Sequence, residues 1–366
     1  MQTVPEEGPP AGFPVQFKGG VCILVEGVAM ERLKVEGEGG SEILLGIGLA
    51  SLASLAPADR ILVTDANVRH HWGHLMEGER VLEVGLGENA KTLSAVESLY
   101  EGLLRFEADR STCIVGVGGG IVCDVAGFAA STYLRGLDFG FIATTLLAQV
   151  DASVGGKNGV NFHGLKNHVG IIRQPRFVAC DFQCLETLPD REYASGLAEL
   201  VKIAAIADAS LFAFLEAQVE ALRNRDRSCL EKAVARAVAL KAHFVAVDEQ
   251  ERGERKKLNF GHTLGHALES HLGLRHGEAV SLGMVAAAEL SVKRGLLAPH
   301  EAQRLTALLD RCGLPTRVAL DLDALLPLMA RDKKRQGRHL AFVLLQGLGH
   351  GVIQHLEVAE LREALS

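Results

Sequence analysis

Residues 111–132 read STCIVGVGGGIVCDVAGFAAST. A β-branched apolar run leads into a triple glycine, and a small-residue helical pattern follows. Strand, glycine turn and helix in that order form half of a βαβ unit, and the same texture recurs on both sides. DRILVTDANV (59–68) is a strand running into a turn. VLEVGLGENAKTLSAVESLYEGLLRF (81–106) is a strand, a turn and an amphipathic helix, and FGFIATTLLAQVDASVGG (139–156) is a strand, a Thr-Thr turn and a helix. Strands alternating with helices predict a parallel sheet covered by helices.

Past residue 185 the texture changes. From LPDREYASGLAELVKIAAI (188–206) onward Ala, Leu, Glu and Lys recur at helical spacing, and SLGMVAAAELSVKRGLL (281–297) is apolar on most faces, as a buried helix would be. DFQCLETLP (181–189) ends in a helix-breaking proline. The expectation is an α/β domain over 1–184 and an all-α domain over 185–366, with a ligand cleft between them.

Composition narrows the function. The 366 residues carry a net charge of −7, which gives no reason to expect a nucleic-acid partner. No run reaches the ~18 apolar residues of a membrane span. The start, MQTVPEEGPPAGF, lacks the basic-then-apolar order of a secretory signal and reads as a frayed tail. Seven scattered cysteines, with only Cys180 and Cys184 close, read as reduced thiols of a cytoplasmic protein.

Five stretches could carry chemistry, and each has a plainer alternative. The turn at Gly116–Asp124 suits a phosphate approaching the backbone at a helix N-terminus, or is simply a tight βα turn; it is not G-x-G-x-x-G. Asp65, after a strand, could accept from ribose hydroxyls or cap a helix; GENAK (87–91) adds Glu88 and Lys91. DASVGGKNGVNFHGLKNHVG (151–170) interleaves Asp151, Lys157, Asn161, Lys166 and Asn167 with glycines. It is a solvated loop or an anion-binding one, and its length without obvious structure of its own favours binding. Arg135, in TYLRG, could add a planar fork. Glu199 and Lys202, three apart among apolar residues, are an exposed pair or a buried carboxylate held by a cation. LNFGHTLGHALESHLGLRHGEAV (258–280) places His262, His266 and Glu269 on one side of a helix, with His271 and His276 beyond. Nitrogen and carboxylate donors suit Zn²⁺, although a histidine-rich helix is often merely surface.

Taken in order, GENAK, GVGGGIVCDVAGFAASTYLRG (116–136), TTLLAQVDASVGGKNGVN (144–161), LETLPDREYASGLAELVK (185–202), LNFGHTLGHALE (258–269), HGEAVSLGM (276–284) and RDKK (331–334) resemble the 3-dehydroquinate synthases, one branch of the sugar phosphate cyclases. The likeness runs from about residue 60 to about residue 345. It implies a Rossmann-like NAD-binding domain ahead of a helical metal- and substrate-binding domain. The implied metal ligands, for Zn²⁺ or Co²⁺, are Glu199, His262 and His276. The implied NAD contacts are Asp65, Glu88, Lys91, Gly119, Gly120, Asp124, Thr144 and Thr145, with Thr187 as a further candidate. The implied substrate contacts are Arg135, Asp151, Lys157, Lys166, Asn167, Lys202, Lys241, Arg255, Asn259, His266 and Lys334. Of these Lys157, Lys202, Lys241, Asn259 and His266 stand at the chemistry. The family's YxRG arginine reaches a neighbouring subunit, so Arg135 implies a homodimer.

The family reaction is a phosphate-releasing lyase step of the shikimate pathway. It takes 3-deoxy-D-arabino-heptulosonate 7-phosphate to 3-dehydroquinate by transient oxidation, phosphate elimination, reduction and aldol closure, with NAD⁺ regenerated. The alternatives are an amino-dehydroquinate, 2-deoxy-scyllo-inosose or 2-epi-5-epi-valiolone synthase, or an oxidoreductase like glycerol dehydrogenase. Three departures from the family pattern touch the glycine turn and the binding loop: Cys123 for the usual Gly, Asn158 for Thr, and His163-Gly164-Leu165 for Pro-Leu-Gly.

Overall fold

The computed structural model describes residues 31–35, 40–319, 321–330, 335–336, 339–357 and 360–362. The strands are β1 (Glu31–Val35), β2 (Ser41–Leu45), β3 (Arg60–Asp65), β4 (Val81–Val84), β5 (Cys113–Gly118), β6 (Phe139–Ala143), β7 (Lys157–Phe162), β8 (Leu165–Ile172), β9 (Phe177–Cys180), β10 (Arg335–Gln336), β11 (His339–Leu345) and β12 (Gly351–Glu357). The helices are α1 (Leu52–Leu55), α2 (Ala66–Trp72), α3 (Leu93–Arg105), α4 (Gly120–Thr132), α5 (Asp190–Ala207), α6 (Ala209–Arg223), α7 (Arg227–Val247), α8 (His262–Leu272), α9 (His276–Lys293), α10 (Pro299–Arg311) and α11 (Leu322–Ala330).

The main sheet has seven strands in the order β1-β2-β9-β6-β5-β3-β4. All neighbours are parallel except β1 and β2. The inner strands are buried on both faces, β5 and β6 along their whole length, which is why they read as continuous apolar runs rather than alternating ones. The chain leaves β3 for β4 on one side and returns to β5 on the other. The crevice outside the carboxyl ends of β3 and β5 is therefore a switch point, the usual ligand position in an open α/β sheet. Thr64 pins the two strands there by donating to Val117 O at 2.8 Å.

From α5 onward the chain is helical, as expected, with α9 at the centre against α5, α8 and α10. One element was not anticipated: β10, β11 and β12 form a small antiparallel sheet whose middle strand lies against α9. Its signal was a glycine-rich turn, GLGHG (347–351), between two apolar runs.

The stretch expected to be a structureless loop is mostly a β-hairpin. β7 and β8 pair around a two-residue turn, Phe162 opposite Leu165. The turn residues His163 and Gly164 both have positive φ, 47° and 77°, as the favoured tight hairpin turns require. The departure from the family pattern at 163–165 is thus a complete turn signal. Asn158 pins the neck: its buried amide donates to Gly156 O at 2.8 Å and Arg173 O at 3.0 Å. Cys123 is a buried core residue of α4, and burial raises its thiol pKa far above the ordinary value, so it is no nucleophile.

Candidate active site

One cleft of about 940 Å³ runs from the carboxyl ends of β3, β5 and β6 to the first turns of α8 and α9. Its sheet side carries Asp65, Glu88, Lys91, Gly119, Gly120, Asp124, Thr144, Thr145 and Thr187. Asp65 caps α2, accepting from Asn67 N at 2.9 Å and Val68 N at 3.0 Å, so the cap reading holds, and the residue also lines the cleft. Gly119 is the N-cap of α4 with no side-chain cap, leaving the first backbone N–H groups facing the cleft. A Cβ on Gly120 would stand 2.9 Å from Ala152 Cβ, so only glycine lets this turn lie so close.

The helical side carries Asp151, Lys157, Lys166, Asn167, Lys202, Lys241, Arg255, Asn259, Glu199 by way of its neighbours, His262, His266 and His276. Asp151 lies in a π-helical turn, Ala148–Ala152, a distortion frequent at functional sites. Its pKa is subject to burial, which would raise it, but the ammonium groups of Lys202 and Lys241 hold it well below the usual carboxylate range. Lys241 is buried, and that burial, only partly offset by Asp151, lowers its pKa to about 8. Lys202 is also buried, yet Asp151 and Glu199 outweigh desolvation and raise its pKa. Each of the five cleft lysines among the described residues has a carboxylate partner: Lys91 with Asp124, Lys157 with Glu251, Lys166 with Glu269, Lys202 with Glu199 and Lys241 with Asp151. Arg255 is anchored to Glu249 O at 2.8 Å and Gly155 O at 2.9 Å.

The metal question has a geometric answer. One ligand atom each from Glu199, His262 and His276 lies within 4.8 Å of the others. Glu199 Oε1 is 3.3 Å from His276 Nε2 and 3.7 Å from His262 Nε2. Two glycine contacts create this. A Cβ on Gly277 would fall 2.3 Å from Ser195 Cα, so the first turn of α9 lies directly on α5 one turn before Glu199. A Cβ on Gly283 would fall 1.9 Å from Gly261 O, so α8 starts hard against α9. Glu199 is buried, with Oε2 paired to Lys202 and Oε1 turned toward the two imidazoles, and burial of His276 is outweighed by Glu199 and Glu269, which raise its pKa to about 9. A carboxylate and two imidazoles converging on one point, with a strong pull for positive charge, fit a divalent ion of the Zn²⁺ or Co²⁺ kind.

Glu269, grouped in the sequence with the histidines, is not part of that triad. It stands behind His276, on the Nδ1 side. Arg135 does not line the cleft. It is exposed on a turn where Leu134 and Arg135 have φ of 50° and 69°. Lys334 lies outside the described residues. His271 is exposed. Sequence reading missed Glu251, which holds both Lys157 and Asn259, and Trp72, whose Nε1 donates to Thr187 Oγ1 at 3.2 Å on the sheet side of the cleft. A lone acid in a charged loop and a tryptophan at a helix end carry no motif.

The fold is that of the sugar phosphate cyclases. A solved 2-deoxy-scyllo-inosose synthase, complexed with carbaglucose-6-phosphate, NAD⁺ and Co²⁺, superposes with a TM-score of 0.82 at 27% identity, covering 92% of this chain and 99% of its own. A solved 2-epi-5-epi-valiolone synthase from Streptomyces hygroscopicus, with NAD⁺ and Zn²⁺ bound, gives 0.82 at 26%, covering 94% and 98%. In sequence the chain is 45% identical over 329 residues to the 3-dehydroquinate synthase of Halorhodospira halophila, covering 87% of this chain and 93% of that one. Residues 81–195 match the model of the 3-dehydroquinate synthase N-terminal region, and residues 196–335 that of its C-terminal region. The chain belongs to the 3-dehydroquinate synthase family.

Proposed function

We propose that this chain converts 3-deoxy-D-arabino-heptulosonate 7-phosphate to 3-dehydroquinate and phosphate, with NAD⁺ and a divalent metal as resident cofactors. The observation that carries the reading is the convergence of Glu199, His262 and His276 at one end of a cleft whose other end is the glycine turn. In this reading residues 1–184 hold NAD⁺, residues 185–366 hold the metal and most of the sugar acid, and the β7–β8 hairpin of the first unit adds Lys157 and Lys166 to the substrate side.

When bound, the ion polarises the hydroxyl to be oxidised while NAD⁺ takes up and later returns the hydride. The protein's part is orientation and charge. Lys157, Lys166, Lys202, Lys241 and Arg255 surround an anionic substrate with fixed donors; the carboxylates paired with the four lysines, and the carbonyls of Glu249 and Gly155 on Arg255, keep those donors in place. Asn259, tied to Glu251, and His266, whose ring centroid is 5.3 Å from that of His262, face the reacting carbons. Gly119, Gly120 and the α4 N-terminus take the pyrophosphate of NAD⁺, with Asp65 and Glu88 toward a ribose.

The same reading makes the active unit a cytoplasmic homodimer. The exposed turn at Leu134–Arg135 abuts the end of the hairpin at Arg173, where Ile171 and Ile172 are also exposed, and Arg135 reaches the partner's substrate phosphate. Among the described residues no helix is long and apolar enough to cross a membrane.

The test is a substrate panel of carboxylated, aminated and uncarboxylated sugar phosphates, scored for phosphate and for NADH. Phosphate release from the carboxylated substrate with substoichiometric NAD⁺ and no net NADH is expected. NADH accumulation without phosphate would move the chain to the dehydrogenase reading.

A further inference from the structure

Glu269 sits on α8 seven residues after His262, partly buried, and is neither a member of the ligand triad nor given any role by the family pattern above. Its Oε2 accepts no hydrogen bond among the described residues and lies 3.7 Å from His276 Nδ1, the ring atom opposite the one that faces Glu199. Its Oε1 holds Lys166 of β8. The other triad histidine is already oriented in the same sense, with His262 Nδ1 3.1 Å from Phe260 O. A metal-bound imidazole needs an acceptor on its second nitrogen to fix its tautomer and ring plane, and losing that acceptor weakens metal binding by about 10–100-fold.

We propose that Glu269 is a positioning residue for the metal: it takes the Nδ1 proton of His276 as acceptor, presents Nε2 to the ion, and through Lys166 ties the β7–β8 hairpin to the metal site. The proposal rests on the metal reading of Glu199, His262 and His276. The link has a direction. Lys166 competes with His276 for one carboxylate, so removing Lys166 leaves Glu269 undivided and does not weaken the metal.

The experiment measures Zn²⁺ affinity by competition with a chromophoric chelator on full-length protein, with NAD⁺ affinity as the check on folding. Glu269→Ala is expected to bind Zn²⁺ about 10–100-fold more weakly, and Glu269→Gln, whose amide oxygen still accepts, by less than that. Lys166→Ala is expected at or above the wild-type affinity. A folded Glu269→Ala with wild-type Zn²⁺ affinity overturns the proposal, as does a Lys166→Ala that loses metal as badly. Should the Glu269 variants not fold, the wild-type protein loaded with Co²⁺ answers by proton NMR. Two hyperfine-shifted, solvent-exchangeable ring N–H signals are expected, from His262 and His276, and a single one overturns it. His276→Ala separates the two ideas: if it retains full metal, the metal reading fails, whereas metal lost there but kept in Glu269→Ala defeats only the role of Glu269.

Discussion

Nε2 of His276 lies 3.3 Å from Oε1 of Glu199, across the contact where the first turn of α9 meets the middle of α5. Two residues 77 positions apart meet because Gly277 lets one backbone touch the other at Ser195. With His262 the pair offers three donors that would suit a divalent ion. Glu199→Ala, His262→Ala and His276→Ala are each expected to leave a folded protein that purifies without metal and releases no phosphate. Metal content by mass spectrometry of the purified variants checks this, and full occupancy in any one of them removes that residue from the site.

Lys157 stands half-exposed at the start of the hairpin, paired with Glu251. A hydrogen bond to a charged group contributes about 1.5–3 kcal/mol. Lys157→Ala should therefore raise the substrate KM by about 10–100-fold while leaving the NAD⁺ Kd at its wild-type value. Equal losses in both titrations would place Lys157 with the cofactor instead.

Lys241 supplies a pH dependence. Burial, partly offset by Asp151, lowers its pKa from the ordinary lysine value to about 8. Losing that proton removes a positive charge from the cleft, so affinity for the anionic substrate should fall as pH rises through about 8. Lys241→Arg, which stays charged, should remove that limb. The sign for folding is opposite. The depressed folded pKa gives a stabilising contribution that is full above the unfolded lysine value and is lost as pH falls through about 8. A substrate affinity flat from pH 7 to 9 in the wild type, at roughly constant substrate charge, would take Lys241 out of contact with the substrate.

Asn158 offers a test away from the chemistry. Its amide joins Gly156 O and Arg173 O across the neck of the hairpin, and its side chain packs against Gly127 of α4. Asn158→Ala removes both bonds and takes the amide donor from Arg173 O, while Gly156 O still accepts from Arg173 N at 2.8 Å, and should cost about 1–3 kcal/mol, read as a lowered Tm, with metal content unchanged. An unchanged Tm would mean that the hairpin neck is held by other contacts.

How much of this was legible in the sequence depends on the element. The strands β3, β5 and β6 declared themselves because a strand buried on both faces must be apolar throughout, and the glycine turn after β5 because a helix cannot start so close to the sheet with a side chain there. The helical half was visible in its composition. The hairpin was not, because polar residues interrupt any alternation in KNGVNFHGLKNHVG; only the His163-Gly164 turn announced it. The C-terminal sheet was hidden behind a helical expectation. At the site, spacing alone could not choose among His262, His266, Glu269, His271 and His276. The choice depends on where α5 lies, and that contact is set by glycines at 261, 277 and 283 that no local pattern connects. Glu251 and Trp72 likewise act through partners remote in sequence.

The most direct test of the central claim is anomalous scattering at the zinc edge from crystals grown with Zn²⁺ and NAD⁺. One strong peak is expected at roughly 2.0–2.2 Å from Glu199 Oε1, His262 Nε2 and His276 Nε2, facing the nicotinamide ring. A strong peak elsewhere, with those three side chains pointing apart, would contradict it.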